Sequence, residues 1–282
     1  MEGVVFIAVF AAAIMHATWN ALVKVSGDRL FSMSVIMLSH SLLSLPFVFY
    51  FGLPDPEVWI WIGLSVAIHL IYYLSMINQY RYGDLSYVYP LSRGSAPLMV
   101  CLIAYVFVGE KLSNIGIVAI VIISMGILTL ALPRNLKFSK PGKATVASLF
   151  TAIMIAGYTI IDGIGGRAEE EVFRYIAWLF LIEGFPLLTI LLTNRSMQQM
   201  KVAWQDVGLK SVFGGVLSTG AYALVIWAMS ISPFAAVSAL RETSVIVAAL
   251  IGTYLMKETL GPRRIGASVL VAIGVVVLQF GG

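Results

Sequence analysis

Charge is the scarcest property of this chain. Asp, Glu, Lys and Arg make up only 11% of its 282 residues, whereas 60% are hydrophobic, and the mean hydropathy is +0.94. Almost every window of about 20 residues is therefore apolar enough to cross a bilayer. The longest polar connections run only from Pro133 to Lys143 and from Asn194 to Asp206, too short for a second domain. A soluble protein is excluded, and any function must lie within the membrane.

The chain also lacks the residues that other function classes need. Its one cysteine, Cys101, lies in the middle of an apolar segment, so neither a disulfide nor a thiolate metal site can form within one chain. A Gly-x-x-x-x-Gly-Lys-Ser/Thr phosphate loop, His-Glu-x-x-His and Gly-x-Ser-x-Gly are all missing from the sequence. The basic residues are spread thinly over short loops, which disfavours nucleic acid as a partner. We therefore predict no enzyme activity, no cofactor, no metal site and no nucleic-acid binding.

What the sequence does contain is a series of long apolar runs separated by Gly, Pro and charged residues. These runs predict helices, because strands in lipid need a closed barrel with alternating polarity that this sequence lacks. The first run is too long for a signal-peptide core and is predicted to be retained. The ten predicted spans are residues 3–25, 31–51, 58–80, 84–108, 113–132, 144–166, 172–193, 208–230, 233–256 and 261–281.

Two stretches of the chain read as copies of each other. A shift of 148 positions superposes Arg93 on Arg241, Glu110 on Glu258, Leu112 on Leu260 and Gly126 on Gly274. Each half holds five spans, and an odd-numbered repeat enters the bilayer in the opposite orientation the second time. We predict a first five-helix repeat over residues 1–132, a basic connecting loop over 133–143 and a second repeat over 144–282. The two repeated glutamates are interpreted as acids that cap the starts of segments five and ten.

The lysines and arginines of the connections predict the orientation. Thirteen lie after segments one, three, five, seven and nine, whereas three lie in the other connections. Cytoplasmic loops carry the excess of positive charge. We therefore predict a multi-pass protein of the bacterial plasma (inner) membrane with both termini outside.

Two arginines lie deep inside predicted spans, where a charge costs at least about 2.5–3.5 kcal/mol. A guanidinium binds carboxylate, phosphate or phosphonate groups in bidentate geometry. Arg93 and Arg241 are thus predicted to bind an anionic or zwitterionic substrate, with Arg93 preferred because Arg241 adjoins an acid. The alternative is an internal ion pair, for which Asp162, Glu183 and Glu242 can each supply the carboxylate.

Polar and aromatic side chains on other spans extend the candidate site. His16 and Asn20 lie one helical turn apart, with Trp19 beside them, and form a polar stripe on the first span. Tyrosines inside spans can surround a cation, although tyrosines near span ends are more often interfacial. The predicted substrate-binding residues are Trp19, Asn20, Tyr73, Tyr89, Arg93, Tyr158 and Arg241. The predicted coupling or ion-pair residues are Asp162, Glu183 and Glu242; His16, His40 and His69 also qualify chemically for proton coupling.

Three features of the chain are shared with a known family. They are the ten-segment duplication, Gly109-Glu110-Lys111-Leu112 with its echo Lys257-Glu258-Thr259-Leu260, and Ala17-Thr18-Trp19-Asn20 in the opening helix. In these the chain resembles the EamA-type transporters of the drug/metabolite transporter superfamily. Gly83-Asp84-Leu85-Ser86 followed by Tyr89-Pro90-Leu91-Ser92-Arg93-Gly94 resembles a bacterial branch often associated with phosphonate utilisation. The resemblance implies two five-helix bundles around a central cavity built largely from segments one, three, four, six, eight and nine.

The favoured interpretation is a secondary active transporter of a small anionic or zwitterionic metabolite, such as an amino acid or a phosphonate-type compound, working by alternating access. The alternative is a proton-coupled exporter of hydrophobic or cationic drugs. A membrane-embedded enzyme is less favoured, because the catalytic motifs named above are missing. A passive channel is also less favoured, because inverted repeats suit alternating access. The expected partners are a small-molecule substrate, the lipid bilayer and either protons or a counter-substrate, for a monomer or homodimer. Many relatives are described with cytoplasmic termini, whereas the loop charges here favour the reverse.

Overall fold

The structure is a computed structural model that describes residues 2–24, 26–82, 85–131, 142–254 and 261–281. Ten helical stretches within these ranges are long and apolar enough to cross a membrane, so the predicted all-α fold with ten spans is confirmed. The helices are α1 (Gly3–Lys24), α2 (Arg29–Phe51), α3 (Trp59–Tyr82), α4 (Leu85–Ile103), α5 (Asn114–Leu128), α6 (Lys143–Ala168), α7 (Val172–Asn194), α8 (Met197–Ile231), α9 (Phe234–Arg241), α10 (Ser244–Tyr254) and α11 (Pro262–Gly281).

Large apolar side chains cover the outside of the bundle. Phe49, Phe107 and Phe280 are 84%, 79% and 86% exposed. An apolar surface of this kind is unfavourable in water and favourable in the hydrocarbon core of a bilayer. The polar side chains are instead collected inside, where helices contact one another.

Equivalent helices of the two halves pack against each other. Within the described ranges, α2 with α7 and α5 with α11 make the most extensive contacts, and α1 packs on α8 in the way that α3 packs on α6. This reciprocal pattern is what a two-fold axis between two inverted five-helix repeats produces. The exact repeat boundaries stay a prediction, and most of the connecting loop, Glu258 and Leu260 lie outside the described residues.

The crossing of α5 and α11 depends on two glycines, Gly126 and Gly274, which the shift of 148 positions relates. A Cβ atom on Gly274 would lie 2.6 Å from Cγ1 of Ile123 and 3.0 Å from the carbonyl oxygen of Ala119. We expect Gly274→Ala to destabilise the protein by about 1–3 kcal/mol through overpacking. Gly266→Ala on the same helix is the control, because a Cβ there meets nothing within 4 Å. Thermal unfolding in detergent checks this, and equal unfolding temperatures would contradict the close crossing.

The start of α5 differs from the prediction. Ser113, not Glu110, caps this helix, since the Ser113 hydroxyl accepts a hydrogen bond of 3.0 Å from the backbone N–H of Gly116. Glu110 instead accepts the backbone N–H of Phe234, at 2.9 Å, where α9 begins. The capping role predicted for Glu110 at segment five is therefore wrong, because the serine lies closer to the free N–H groups of that helix end.

The eighth span begins earlier than the hydropathy indicates. α8 starts at Met197, because Ser196 and Gln199 form a reciprocal capping box with hydrogen bonds of 3.3 and 2.9 Å. The added turns carry exposed Lys201 and Asp206, side chains that the hydrocarbon core does not accept. Hydropathy therefore marked the apolar part of α8 and missed its polar extension.

The ninth span, predicted as one run over 233–256, is broken near its middle. α9 ends at Arg241 and α10 begins at Ser244. Glu242 and Thr243 form a tight turn in which their N–H groups donate to the carbonyls of Ala239 and Leu240, each at 3.1 Å. No glycine or proline marks this break in the sequence. Discontinuous helices at a repeat interface are where many transporters bind substrates and ions.

Candidate functional site

A small cavity lies at the centre of the bundle. Its free volume is about 30 Å³, close to the volume of one water molecule. Side chains of α1, α2, α3, α6, α8 and α9 line it, so α2 replaces α4 in the set of helices that the family resemblance implied. All three histidines of the chain lie at this cavity. Its polar and aromatic lining residues are His16, Trp19, His40, His69, Tyr72, Tyr73, Tyr158, Ser218, Tyr222 and Arg241.

Arg93, on α4, is paired inside the protein. Its Nε donates to Oε2 of Glu242 at 3.1 Å, and its Nη2 lies 2.7 Å from Oε1 of the same carboxylate. Both residues are only 2% exposed. The carboxylate comes from the turn between α9 and α10, so the ion pair joins the first half of the chain to the second. This geometry fits the alternative interpretation of Arg93, an internal ion pair.

Arg241 faces the cavity instead. Its Cζ lies 5.5 Å from the centroid of the Tyr222 ring, a distance suited to a cation–π contact. Among the residues that the structure describes, no carboxylate forms an ion pair within 4.0 Å of the Arg241 guanidinium. Arg241 adjoins Glu242 in sequence, but the turn directs that acid toward Arg93. Arg93 was preferred as the substrate ligand because Arg241 adjoins an acid in sequence. In the structure that acid, Glu242, pairs with Arg93 and leaves Arg241 facing the cavity.

Glu183, on α7, lies among three side chains of α2 and α3. The hydroxyl of Tyr73 donates to Oε1 of Glu183 at 2.6 Å. Nδ1 of His40 lies 3.4 Å from Oε2, and Nε2 of His69 lies 3.9 Å from Oε1. We call Glu183, His40 and His69 the Glu183 cluster.

Asp162, on α6, is completely buried and is held by two tyrosines. The hydroxyl of Tyr175 donates to Oδ1 at 2.8 Å, and the hydroxyl of Tyr222 donates to Oδ2. Tyr222 therefore contacts an acid with its hydroxyl and the guanidinium of Arg241 with its ring. This one residue links the two charges across the cavity.

The structure thus brings four of the seven predicted binding residues to the cavity: Trp19, Tyr73, Tyr158 and Arg241. Asn20 does not line it, and its amide donates to the carbonyl of His16 on its own helix at 2.9 Å. Tyr89 and Arg93, both on α4, also lie outside the lining. Whether any of these seven residues touches substrate stays a prediction.

Sequence reasoning missed Tyr222, which proves central to the site. The available signal was its position near the middle of an apolar helix, where an interfacial role cannot explain a tyrosine. Tyr175 was missed because it lies close to the start of α7 and resembles an ordinary belt residue. Only the packing of α7 on α6 places its hydroxyl next to Asp162.

Within the described residues, ten apolar spans arranged as two reciprocal sets around a buried polar cavity define an integral membrane protein with the architecture of a carrier. Residues 3–132 and 142–280 each match the model of the EamA-like transporter family. A solved crystal structure superposes over 100% of both chains with a TM-score of 0.74 at 15% sequence identity, which shows a common fold. No curated protein matches the chain. The chain belongs to the EamA-like transporter family, and it is a multi-pass membrane transporter of the drug/metabolite type.

Proposed function

We propose that the protein is a secondary active transporter that moves a small anionic or zwitterionic metabolite, of amino-acid or phosphonate type, across the bacterial inner membrane by alternating access. The observation that carries this proposal is the position of Arg241. Its guanidinium lines the central cavity without a carboxylate partner among the described residues, whereas Arg93 is neutralised by Glu242. An unpaired cation buried at mid-membrane favours an anionic ligand.

The aromatic lining favours a second, cationic group on the same ligand. Tyr158 and Tyr222 face the cavity together with Trp19, and such rings attract an ammonium group. Asp162 lies directly behind Tyr222 and adds negative charge on that side. A zwitterion can therefore place its anionic group at Arg241 and its ammonium group near these rings.

Binding requires the helices to separate, because a free volume of about 30 Å³ is too small for a metabolite. One end of the bundle is closed by Arg167, whose Nη2 lies 2.7 Å from Oε1 of Glu110 and 2.8 Å from the carbonyl oxygen of Ser232. Together with the Glu110 contact to Phe234, these bonds join the connection between α4 and α5 to the ends of α6 and α8 and the start of α9. We propose that this group is a gate, on the side that the loop charges assign to the outside.

A proton-coupled exporter of hydrophobic or cationic drugs is the second candidate. The tyrosines and tryptophan of the cavity favour it, because they can contact large apolar cations without using an arginine. In that case Arg241 would be an obstacle to the ligand rather than its partner.

Ligand-dependent thermal stabilisation of the purified protein separates the two candidates. The panel contains L-glutamate, glycine betaine, 2-aminoethylphosphonate, glucose 6-phosphate and tetraphenylphosphonium. A ligand at about 100 times its dissociation constant stabilises the folded state by about 2.7 kcal/mol. We expect a shift with an anionic or zwitterionic compound, followed by counterflow of that labelled compound in proteoliposomes. A shift with tetraphenylphosphonium alone would favour drug export, and stabilisation without counterflow would contradict a carrier.

A further inference from the structure

The centre of the membrane holds a cluster of titratable groups that Arg241 and Arg93 do not neutralise. We propose that the Glu183 cluster, formed by Glu183, His40 and His69, is a proton-binding site that couples transport to the proton gradient. This inference rests on the proposed function, because a gradient-driven carrier needs a group that changes its charge during the cycle.

His40 and Glu183 lie equally far from the starts of α2 and α7, the second helices of the two halves. α2 and α7 each contain 23 residues, and each is capped by the acid that precedes it, Asp28 or Glu171. His40 and Glu183 are each the twelfth residue of their helix. A 23-residue helix crosses the hydrocarbon core once, so both side chains lie near the bilayer midplane. The pair therefore lies on the contact between α2 and α7, one helix from each half of the chain, and alternating access moves one repeat against the other.

The hydrogen bonds around His69 place an exchangeable proton toward Glu183. Nδ1 of His69 lies 3.1 Å from both the carbonyl oxygen and the hydroxyl oxygen of Ser65. The hydroxyl can donate or accept but the carbonyl can only accept, so a proton on Nδ1 satisfies both contacts, and we assign it there. In neutral His69, Nε2 then presents a lone pair toward Glu183. Nε2 of His69 and Oε1 of Glu183 are then both hydrogen-bond acceptors, 3.9 Å apart. Their approach is favourable only when one of the two atoms carries a proton.

His40 gives the cluster a second site for the same proton. Its Nδ1 lies 3.4 Å from Oε2 of Glu183, and its Nε2 is buried without a hydrogen-bond partner in the described part of the chain. His40 and His69 are each 2% exposed and Glu183 is 3% exposed. No described lysine or arginine forms an ion pair with Glu183, so we assign the neutralising proton to the imidazole of His40 or His69.

The surroundings favour a proton at this position and link it to the substrate cavity. The ring of Tyr158 stacks on His69 at 4.2 Å between centroids, which stabilises an imidazolium. His40 and His69 line the same cavity as Arg241, and no group of described side chains is arranged to hold a metal ion. The other titratable or charged groups facing the cluster are Tyr72 and Tyr73 of α3, Tyr158 and Asp162 of α6, Tyr175 of α7, Tyr222 of α8, His16 of α1 and Arg241 of α9.

An anionic group bound at Arg241 neutralises the positive charge that opposes a proton in the cluster. Substrate binding and proton binding therefore favour each other, and this coupling is reciprocal. A carrier with such coupling moves proton and anion together. We do not assign this function to Glu242, because Arg93 already neutralises its charge.

The three histidines allow a direct test that needs no substrate. In protein labelled with 15N-histidine, the single variants His16→Gln, His40→Gln and His69→Gln assign the three imidazoles by NMR. At about pH 6, where an unperturbed histidine is partly charged, we expect wild type to show a protonated imidazole at His40 or His69. This signal is lost in Glu183→Gln, which keeps an acceptor for Tyr73, and is kept in the exposed-loop control Glu57→Gln. Neutral His40 and His69 in wild type, or an unchanged signal in Glu183→Gln, would overturn the proposal.

Transport of labelled 2-aminoethylphosphonate in proteoliposomes then tests coupling. We expect wild type to accumulate the compound under a pH gradient, and Glu183→Gln to retain counterflow but lose accumulation. Accumulation by Glu183→Gln, or loss of its counterflow as well, would overturn the coupling role. Absence of counterflow in wild type would count against the proposed function for this compound, while the NMR result still decides the proton site.

Discussion

Arg93→Met is expected to destabilise the folded protein by about 3–5 kcal/mol, because removing one partner of a buried ion pair leaves the other charge unpaired. Arg93 donates to Glu242 at 3.1 Å and contacts its second oxygen at 2.7 Å. The loss should appear as a lower unfolding temperature in detergent. The pair also joins α4 to the turn between α9 and α10. Without Arg93, this turn should no longer be held in one conformation.

The double variant Arg93→Met with Glu242→Gln is the matched control. It removes the unpaired charge that the single change leaves behind, and we expect it to recover most of the lost stability. Arg93→Lys should recover only part, because an ammonium group cannot bind both carboxylate oxygens as a guanidinium does. A single variant as stable as wild type would show that the Arg93–Glu242 contact does not hold the two halves together.

Arg241→Gln is expected to have the opposite effect, with loss of ligand binding and little change in stability. Hydrogen bonds to a charged group contribute about 1.5–3 kcal/mol, so the dissociation constant of an anionic ligand should rise about 10- to 150-fold. The folded state loses the cation–π contact to Tyr222, at 5.5 Å, and the charge of Arg241 near Glu242, while the ion pair of Glu242 with Arg93 remains. Thermal shifts with 2-aminoethylphosphonate and L-glutamate measure both quantities on one sample.

Two variants keep this result specific. Arg241→Lys preserves the charge and should bind anions more weakly than wild type but better than Arg241→Gln. Tyr222→Phe keeps the ring below Arg241 and removes only the hydroxyl that donates to Asp162. Unchanged stabilisation by anions in Arg241→Gln would disprove an arginine site for the substrate.

Positions that look equivalent in sequence differ in their neighbours in space. Arg93 and Arg241 are related by the shift of 148 positions, yet one is paired and the other faces the cavity, because Glu242 follows Arg241 and has no acidic counterpart after Arg93, where Gly94 stands. The duplication predicted that both arginines lie near the midplane. It did not predict their different partners.

Hydropathy located the spans well where a helix is apolar along its length. α7, predicted over 172–193, is observed over Val172–Asn194. Hydropathy was less successful where hydrogen bonds decide where a helix begins or ends. The capping box at Ser196 extends α8 into polar sequence, and the turn at Glu242 interrupts the ninth span without glycine or proline. Both features depend on hydrogen bonds that a hydropathy average does not register.

The sequence alone determined that this protein lies in the membrane, that it has ten helical spans and that its halves repeat, because burial in lipid imposes an apolar, fully hydrogen-bonded segment wherever the chain crosses. Only the tertiary structure decided which charges meet. Contacts such as Arg93 with Glu242, or His40 with Glu183, join residues more than a hundred positions apart, and their geometry follows from how the two repeats pack. The sequence therefore fixes the candidates for a site, while helix packing assigns each candidate its partner.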